Sequence, residues 1–373
     1  MARTWRALVE RMLGAADIRI DGDRPWDVRV HDDRLYRRVV ASGTLGLGEA
    51  YMDQWWDCDA LDQLVERAQR AGAASRMVAP LDAVRQVAAR VVNRQTKRRS
   101  REVGERHYDV GNDLYERMLD SRMIYSCGYW RTATDLDTAQ QHKLDLIARK
   151  LGLEAGMRVL DIGCGWGGAA QYFADHHGCD VVGVTISAEQ ADLATRRCEG
   201  STVEIRLQDY RQLDETFDRV YSIGMFEHVG VKNYATYMAT CRRLLRDPDG
   251  LTLIHTIGGN RSQHTTDPWF ERYIFPNSML PSAAQITRAA EGTLSLADWH
   301  DFGPDYDRTL MAWHANVESA WSELPDYDER FRRMWRFYLL ASAGSFRAGN
   351  LRLWQIVFSR DPLTTAYRPD GIR

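Results

Sequence analysis

The stretch that decides the fold is Arg158 to Ala169, RVLDIGCGWGGA. Val159, Leu160 and Ile162 form a short apolar run of the kind a buried parallel strand carries. After Asp161, the glycines Gly163, Gly165, Gly167 and Gly168 turn that strand into a helix expected to begin near Ala169. Glycine suits this place for two reasons: the turn is tight, and a ligand can come against backbone that carries no side chain. A glycine turn between a first strand and a first helix is the nucleotide site of a doubly wound sheet. The G-x-G-x-x-G pattern alone is weak, so the downstream residues must say which nucleotide it serves.

A dinucleotide site wants an acidic residue at the end of the second strand, to hold the ribose hydroxyls. The second strand reads Asp180 to Thr185, DVVGVT, and ends in Thr185. This disfavours a nicotinamide oxidoreductase. Asp161 before the glycines, with VTIS and Gln190 after the second strand, resembles S-adenosylmethionine methyltransferases instead. Later strands continue the alternation. Thr202 to Leu207 runs into Gln208, Asp209 and Tyr210, where an acidic residue can meet the adenine amino group. Phe217 to Gly224 leads into Met225-Phe-Glu-His228, and Leu251 to Ile257 follows. Strands alternating with helical stretches imply an α/β fold, a doubly wound, mostly parallel sheet with helices on both faces.

The chain of 373 residues is long enough for two domains. With 44% hydrophobic and 27% charged residues it can bury a full core, and a net charge of -3 does not announce nucleic acid. The 12 Trp and 16 Tyr suit a deep apolar pocket or an ordinary large core. Cys58, Cys127, Cys164, Cys179, Cys198 and Cys241 form no C-x-x-C pair, so neither a metal site nor a disulfide framework is indicated, and a reducing cytoplasm is the simplest setting. The first residues carry charges throughout and lack the apolar core of a secretory signal. No window approaches the roughly 18 apolar residues of a membrane span.

Residues 1–95 read as a small α+β domain. Trp5, Leu8, Val9, Met12 and Leu13 share one helical face, and Leu61, Leu64, Val65 and Ala68 mark another helix. Ile18 to Val30 reads as two short strands around an Asp-Gly turn. In Leu45 to Trp56, LGLGEAYMDQWW, the glycines suggest a tight turn and the aromatics either domain core or an apolar surface. A basic linker, 96–106, ends a segment in which Leu81, Val84, Val87, Ala88, Val91 and Val92 lie at helical spacing among arginines. That pattern fits a helix on an anionic membrane surface or a solvated linker face. The catalytic domain, 107–373, opens with HYDVGNDLY. Met123 to Trp130, MIYSCGYW, precedes the first strand and is placed to cover a cofactor. Asp267 to Leu280 is a candidate wall for an apolar substrate, or core.

Together these motifs resemble the bacterial cyclopropane-fatty-acyl-phospholipid synthases. They are GTLGLGEAYMDQWWDCDALD (43–62), HYDVGNDLY (107–115), MIYSCGYW (123–130), VLDIGCGWGG (159–168), VVGVTISAEQ (181–190), GMFEHVG (224–230), HTIG (255–258), RYIFPN (272–277), DYDRTLMAW (305–313) and LWQIVFSR (353–360). They span nearly the whole chain, whereas mycolic-acid cyclopropane synthases generally lack the first domain. The resemblance implies methyl transfer from S-adenosylmethionine to a cis double bond of a phospholipid acyl chain, then ring closure with loss of a proton. It also implies a cytoplasmic homodimer at the anionic inner-leaflet surface of the phospholipid bilayer, and it favours the membrane reading of the basic helix. The alternative within the class is methylation of another lipid or a small amine without ring closure.

On that resemblance Tyr125 and Ser126 close over the cofactor. Asp161, Gly163, Cys164 and Gly165 hold its methionine half, Thr185, Ile186 and Gln190 its adenosine, and Gln208, Asp209 and Tyr210 its adenine. The family's base is a bound bicarbonate, and the matching catalytic positions are Cys127, Glu227, His255, Ile257 and Tyr306. Cys127 would offer a backbone amide rather than a thiolate. One position departs: some family descriptions place a catalytic cysteine where FYLLASAGSFRA (337–348) has Ser342. Methyl transfer to an alkene needs no covalent enzyme intermediate, so that cysteine is not expected to be required.

Overall fold

The fold is that of a computed structural model, which describes residues 2–72 and 111–369. The basic segment and the linker expected between 81 and 106 lie outside the described residues. The chain divides into two compact units. Among the described residues the first comprises 2–72, 264–278 and 306–351, and the second 111–263, 279–305 and 352–369. The expected contiguous division, with everything after 107 in one domain, therefore differs from the grouping found: two later segments join the N-terminal one.

The second unit holds a seven-stranded sheet. In chain order, after β1 (Arg29–Val30) and β2 (Trp56–Asp57) of the first unit, its strands are β3 (Arg158–Ile162), β4 (Asp180–Thr185), β5 (Val203–Leu207), β6 (Arg219–Ile223), β7 (Leu251–Gly259), β8 (Ser295–Asp301) and β9 (Leu351–Ser359). Their spatial order is β5-β4-β3-β6-β7-β9-β8. Pairing is parallel from β5 through β7. β8 pairs antiparallel with β9. This is the class I S-adenosylmethionine-dependent methyltransferase type of sheet. β8 was not foreseen from sequence. It is an edge strand, and a register shift between Leu296 and Asp298 breaks the alternation that would have marked it.

Two apolar layers sandwich the sheet. On one face Val159, Val181, Tyr221 and Leu253 meet Leu144, Ile147 and Phe173 from the helices Leu136–Leu151 and Gly168–His177. On the other, Leu160, Ile162, Val182 and Ile254 meet Tyr237, Met238, Cys241 and Ile286 from the helices Tyr234–Leu244 and Ala283–Ala290. Alternate residues of each strand thus feed opposite layers, as the period of a pleated strand requires. Helix Leu136–Leu151 is closed at both ends: Asp135 accepts from the Thr138 amide, and Gly152 takes the left-handed conformation at φ 56°.

The first unit is mainly helical, with Arg29–Val30 and Trp56–Asp57 as a two-stranded ribbon. Ile18 to Val30 contributes one bridge, Ile20 to Val28, rather than a hairpin. The helix Arg34–Met52 runs through the glycines where a tight turn was expected, kinking at Gly43. Gly48 is needed for close approach, since a Cβ there would run into the indole of Trp269. Trp269 is fully buried, with the ring of Phe337 4.6 Å away and tilted edge-on. For Trp269, within Asp267 to Leu280, the core reading holds. Arg347 bonds Asp307 and Asp62, and Arg333 bonds Asp57, Tyr51 and Trp56.

Candidate active site

Strand order reverses at β3: the chain goes first to β4 on one side and later to β6 on the other. Ligands bind beyond the carboxyl ends of strands at such a switch point. The glycine loop stands there. Gly163, Gly165 and Gly167 all have left-handed φ, of 84°, 54° and 82°. The amides of Gly163 and Cys164 donate to the Val184 carbonyl, tying the loop to β4. What each glycine faces differs. A Cβ on Gly163 would lie 2.8 Å from Met225, inside the protein rather than in a ligand's path. A Cβ on Gly167 would meet the Cys198 sulfur at 2.8 Å, and one on Gly168 the Arg122 carbonyl. Only at Gly165, among these four, is the space open to 4 Å. This cradle at the end of β3 is what a cofactor lying on the loop requires, and the residues present fit one.

Around it the expected cofactor residues divide. Cys164 is buried, with its side chain against Gly183, so it can offer only backbone. Asp161 is buried too, and its carboxylate accepts 2.8 Å from the Tyr221 hydroxyl. Burial raises its pKa, opposed by Tyr221 and then Lys143. Thr185 donates to the Gln190 side chain at 3.0 Å and accepts from the Ser187 amide, so these two build the β4 turn. Ile186 beside them is exposed. The Gln208 amide donates to the Thr185 carbonyl. Both Asp209 oxygens accept from Arg211, Oδ2 from Nη2 at 2.5 Å and Oδ1 from Nε at 2.8 Å, so an adenine amino group would share that carboxylate with an arginine. Tyr210 packs its ring on Tyr237.

The segment carrying Tyr125 and Ser126 is fixed by residues that the motif reading passed over. Gln140 donates to the carbonyls of Ile124 and Ser126, at 3.2 and 2.8 Å, and Lys143 Nζ donates to Ser126 Oγ at 2.8 Å. All three side chains are buried. Burial lowers the Lys143 pKa, against the attraction of Asp120, Cys127 and Asp161. A signal was present: Leu136, Gln140, Lys143 and Ile147 form one inward stripe at helical spacing, interrupted by two polar residues. The Tyr125 ring meets Tyr115, which in turn meets Trp166 of the glycine loop.

Beyond β6, the 3-10 turn Phe226–His228 presents Glu227. Its Oε1 accepts from the Ile257 amide at 2.6 Å, and its carbonyl accepts from the Met279 amide. Burial pushes the carboxyl up to about 7, against the Ile257 hydrogen bond. His255 precedes Ile257 by two positions on β7 and is also buried. Burial, then Lys143 and Lys150, hold its pKa well below the ordinary histidine value. Glu227 Oε2 and His255 Nε2 are buried without a hydrogen-bond partner among the described residues. Glu227 is thus bonded to Ile257, two positions along the same strand from His255. The buried Cys127 thiol donates to the Gly128 carbonyl, a neutral role. Tyr306 belongs to the first unit, where its ring packs on Phe346 and Trp313. Ser342 is buried on the helix Glu329–Arg347 of that unit.

A family model described as mycolic acid cyclopropane synthetase matches residues 95–356. The chain belongs to that family. The cyclopropane-fatty-acyl-phospholipid synthase of Escherichia coli is 52% identical over 358 residues, 95% of this chain and 94% of that one. Among solved structures, the cyclopropane synthase MmaA2 of Mycobacterium tuberculosis superposes with a TM-score of 0.64 at 31% identity, covering 69% of this chain and 98% of its own. The mycolic acid cyclopropane synthase CmaA1, solved with SAH and CTAB, gives 0.64 at 30% over the same shares. This member of the cyclopropane synthetase family is an S-adenosylmethionine-dependent methyltransferase.

Proposed function

We propose that this enzyme methylates a cis double bond of an unsaturated acyl chain in membrane phospholipid and closes it to a cyclopropane ring. The identity to the E. coli synthase over nearly its full length supports this reading. The observation that carries the chemistry is the pair of orphaned buried atoms, Glu227 Oε2 and His255 Nε2. When bound, S-adenosylmethionine supplies an electrophilic methyl group, and an alkene is a weak nucleophile, so alignment does most of the work. Gly165 leaves the room, and Gln140 and Lys143 hold the segment that bears Tyr125 and Ser126.

The protein must also support removal of a proton from the transferred methyl. A small protonated oxyanion such as bicarbonate would give each of the two orphaned atoms a partner and supply the base. A carboxylate does not attract an anion, so Glu227 accepts from the protonated oxygen, while His255 donates to another. A role for Tyr306, and for the backbone at Cys127, rests on the family resemblance alone. We further propose, on the family resemblance, a cytoplasmic homodimer, and, on the basic, helically spaced pattern of residues 81–101, that it acts peripherally on the anionic inner leaflet.

The test is incubation with unsaturated phospholipid vesicles and labelled S-adenosylmethionine, followed by mass spectrometry of the acyl chains. A ring is expected, distinguished from an unsaturated methylene product by its resistance to mild hydrogenation. A product without the ring, or labelling of an amine, would replace this reading. Replacing Arg98, Arg99 and Arg101 with Gln should weaken binding to anionic vesicles at low salt. Equal binding to anionic and neutral vesicles, with and without these changes, would remove the membrane part.

A further inference from the structure

Gln355 lies on β9, the strand next to β7, and is fully buried. Its Nε2 is 3.3 Å from His255 Nδ1, across 100 positions of sequence. A carboxamide nitrogen only donates, so the ring nitrogen it meets must accept. A neutral imidazole has one N–H, which is then on Nε2. That nitrogen is the one buried without a partner among the described residues. We propose that Gln355 is a positioning residue that holds His255 in the tautomer with hydrogen on Nε2, so that the ring offers a donor to the site.

The neutral state of the ring follows from its surroundings: His255 is enclosed, and Lys143 and Lys150 disfavour a further cation. Phe302, 5.8 Å away, flanks it with an apolar ring. The opposite amide orientation is the competing arrangement. It would place the Gln355 oxygen, itself unpartnered, against an Nδ1–H and make Nε2 an acceptor. Glu227 Oε2 is already an acceptor there, and two acceptors would repel an oxyanion. A donor at His255 gives the site both kinds of partner that a protonated oxyanion needs. That last step rests on the bicarbonate reading above; the tautomer does not.

The test is nitrogen NMR of the full chain with labelled histidine, the His255 signals identified by their loss in His255→Asn. A pyridine-type Nδ1 and a pyrrole-type Nε2 are expected. Gln355→Glu, of equal size, should reverse the two, and Gln355→Leu should leave a mixture. Both should lower turnover at least tenfold while the KM for S-adenosylmethionine stays within twofold. A pyrrole-type Nδ1 in the unaltered protein, or a tautomer unmoved by Gln355→Glu, overturns the assignment. Should Gln355→Leu fail to fold, the unaltered protein and Gln355→Glu decide. Bicarbonate titration separates the two readings: a shift of the Nε2 signal supports both, and its absence with the expected tautomer overturns bicarbonate while upholding Gln355.

Discussion

Glu227 Oε1 accepts a 2.6 Å hydrogen bond from the Ile257 amide, joining the turn after β6 to β7 and leaving Oε2 unpartnered among the described residues. One carboxylate oxygen thus holds the site together while the other is available to it.

Glu227→Gln keeps the shape and removes the charge. Turnover should fall about 100-fold or more while cofactor affinity changes little, as when an interaction acts in the chemical step. Burial raises the Glu227 pKa from 4.5 to about 7, so the folded state binds more protons than the unfolded one between those values. Stability relative to Glu227→Gln should therefore fall as pH rises through that window, by up to ~3 kcal/mol. Denaturant titrations at pH 5 and 8 measure this, and an opposite slope would contradict the burial argument. Carbonate-depleted buffer should lower activity and added bicarbonate restore it.

Gly165→Ala tests the cradle. Its Cβ meets no atom of the described residues within 4 Å, so their packing is unaffected and only the left-handed φ of 54° costs about 1–2 kcal/mol. S-adenosylmethionine affinity should drop at least about tenfold by calorimetry. Gly163→Val, by contrast, collides with Met225 and should chiefly destabilise the fold.

Lys143→Met removes the bond to Ser126 Oγ and keeps the volume. The KM for S-adenosylmethionine should rise. Burial lowers the Lys143 pKa from 10.5 to about 7, so the unfolded state binds more protons across that window. Stability relative to Lys143→Met should rise with pH from about 7 to 10.5. An unchanged KM would show that Gln140 alone fixes the Tyr125–Ser126 segment.

Ser342→Ala should keep most activity, because no step calls for an oxygen nucleophile there. Loss of several orders of magnitude, with circular dichroism unchanged, would establish a direct role for that hydroxyl.

Gly48→Ala places a methyl where the Trp269 indole sits, so the first unit should lose about 1–3 kcal/mol in thermal or denaturant unfolding. A neutral effect would mean the helix Arg34–Met52 can shift.

The sequence by itself carried the sheet from β3 to β7, because buried parallel strands must be apolar on both faces and announce themselves as runs. It carried the glycine loop for the same kind of reason, since a chain reversal with left-handed φ admits little else. Glu227 was legible as a residue just past a strand end, where doubly wound sheets bind ligands, whereas His255, within β7, was singled out by the family resemblance alone. Three glycines concealed the helix Arg34–Met52, since helix propensity argues against them and only the seating of Trp269 explains Gly48. β8 was concealed by its bulge and its place at the edge. Pairing was the tertiary structure's alone to decide: Lys143 with Ser126, Tyr221 with Asp161, Gln355 with His255. A buried polar side chain must find a partner wherever the fold brings one, and the separation along the chain, 17, 60 and 100 residues here, leaves no local pattern to read.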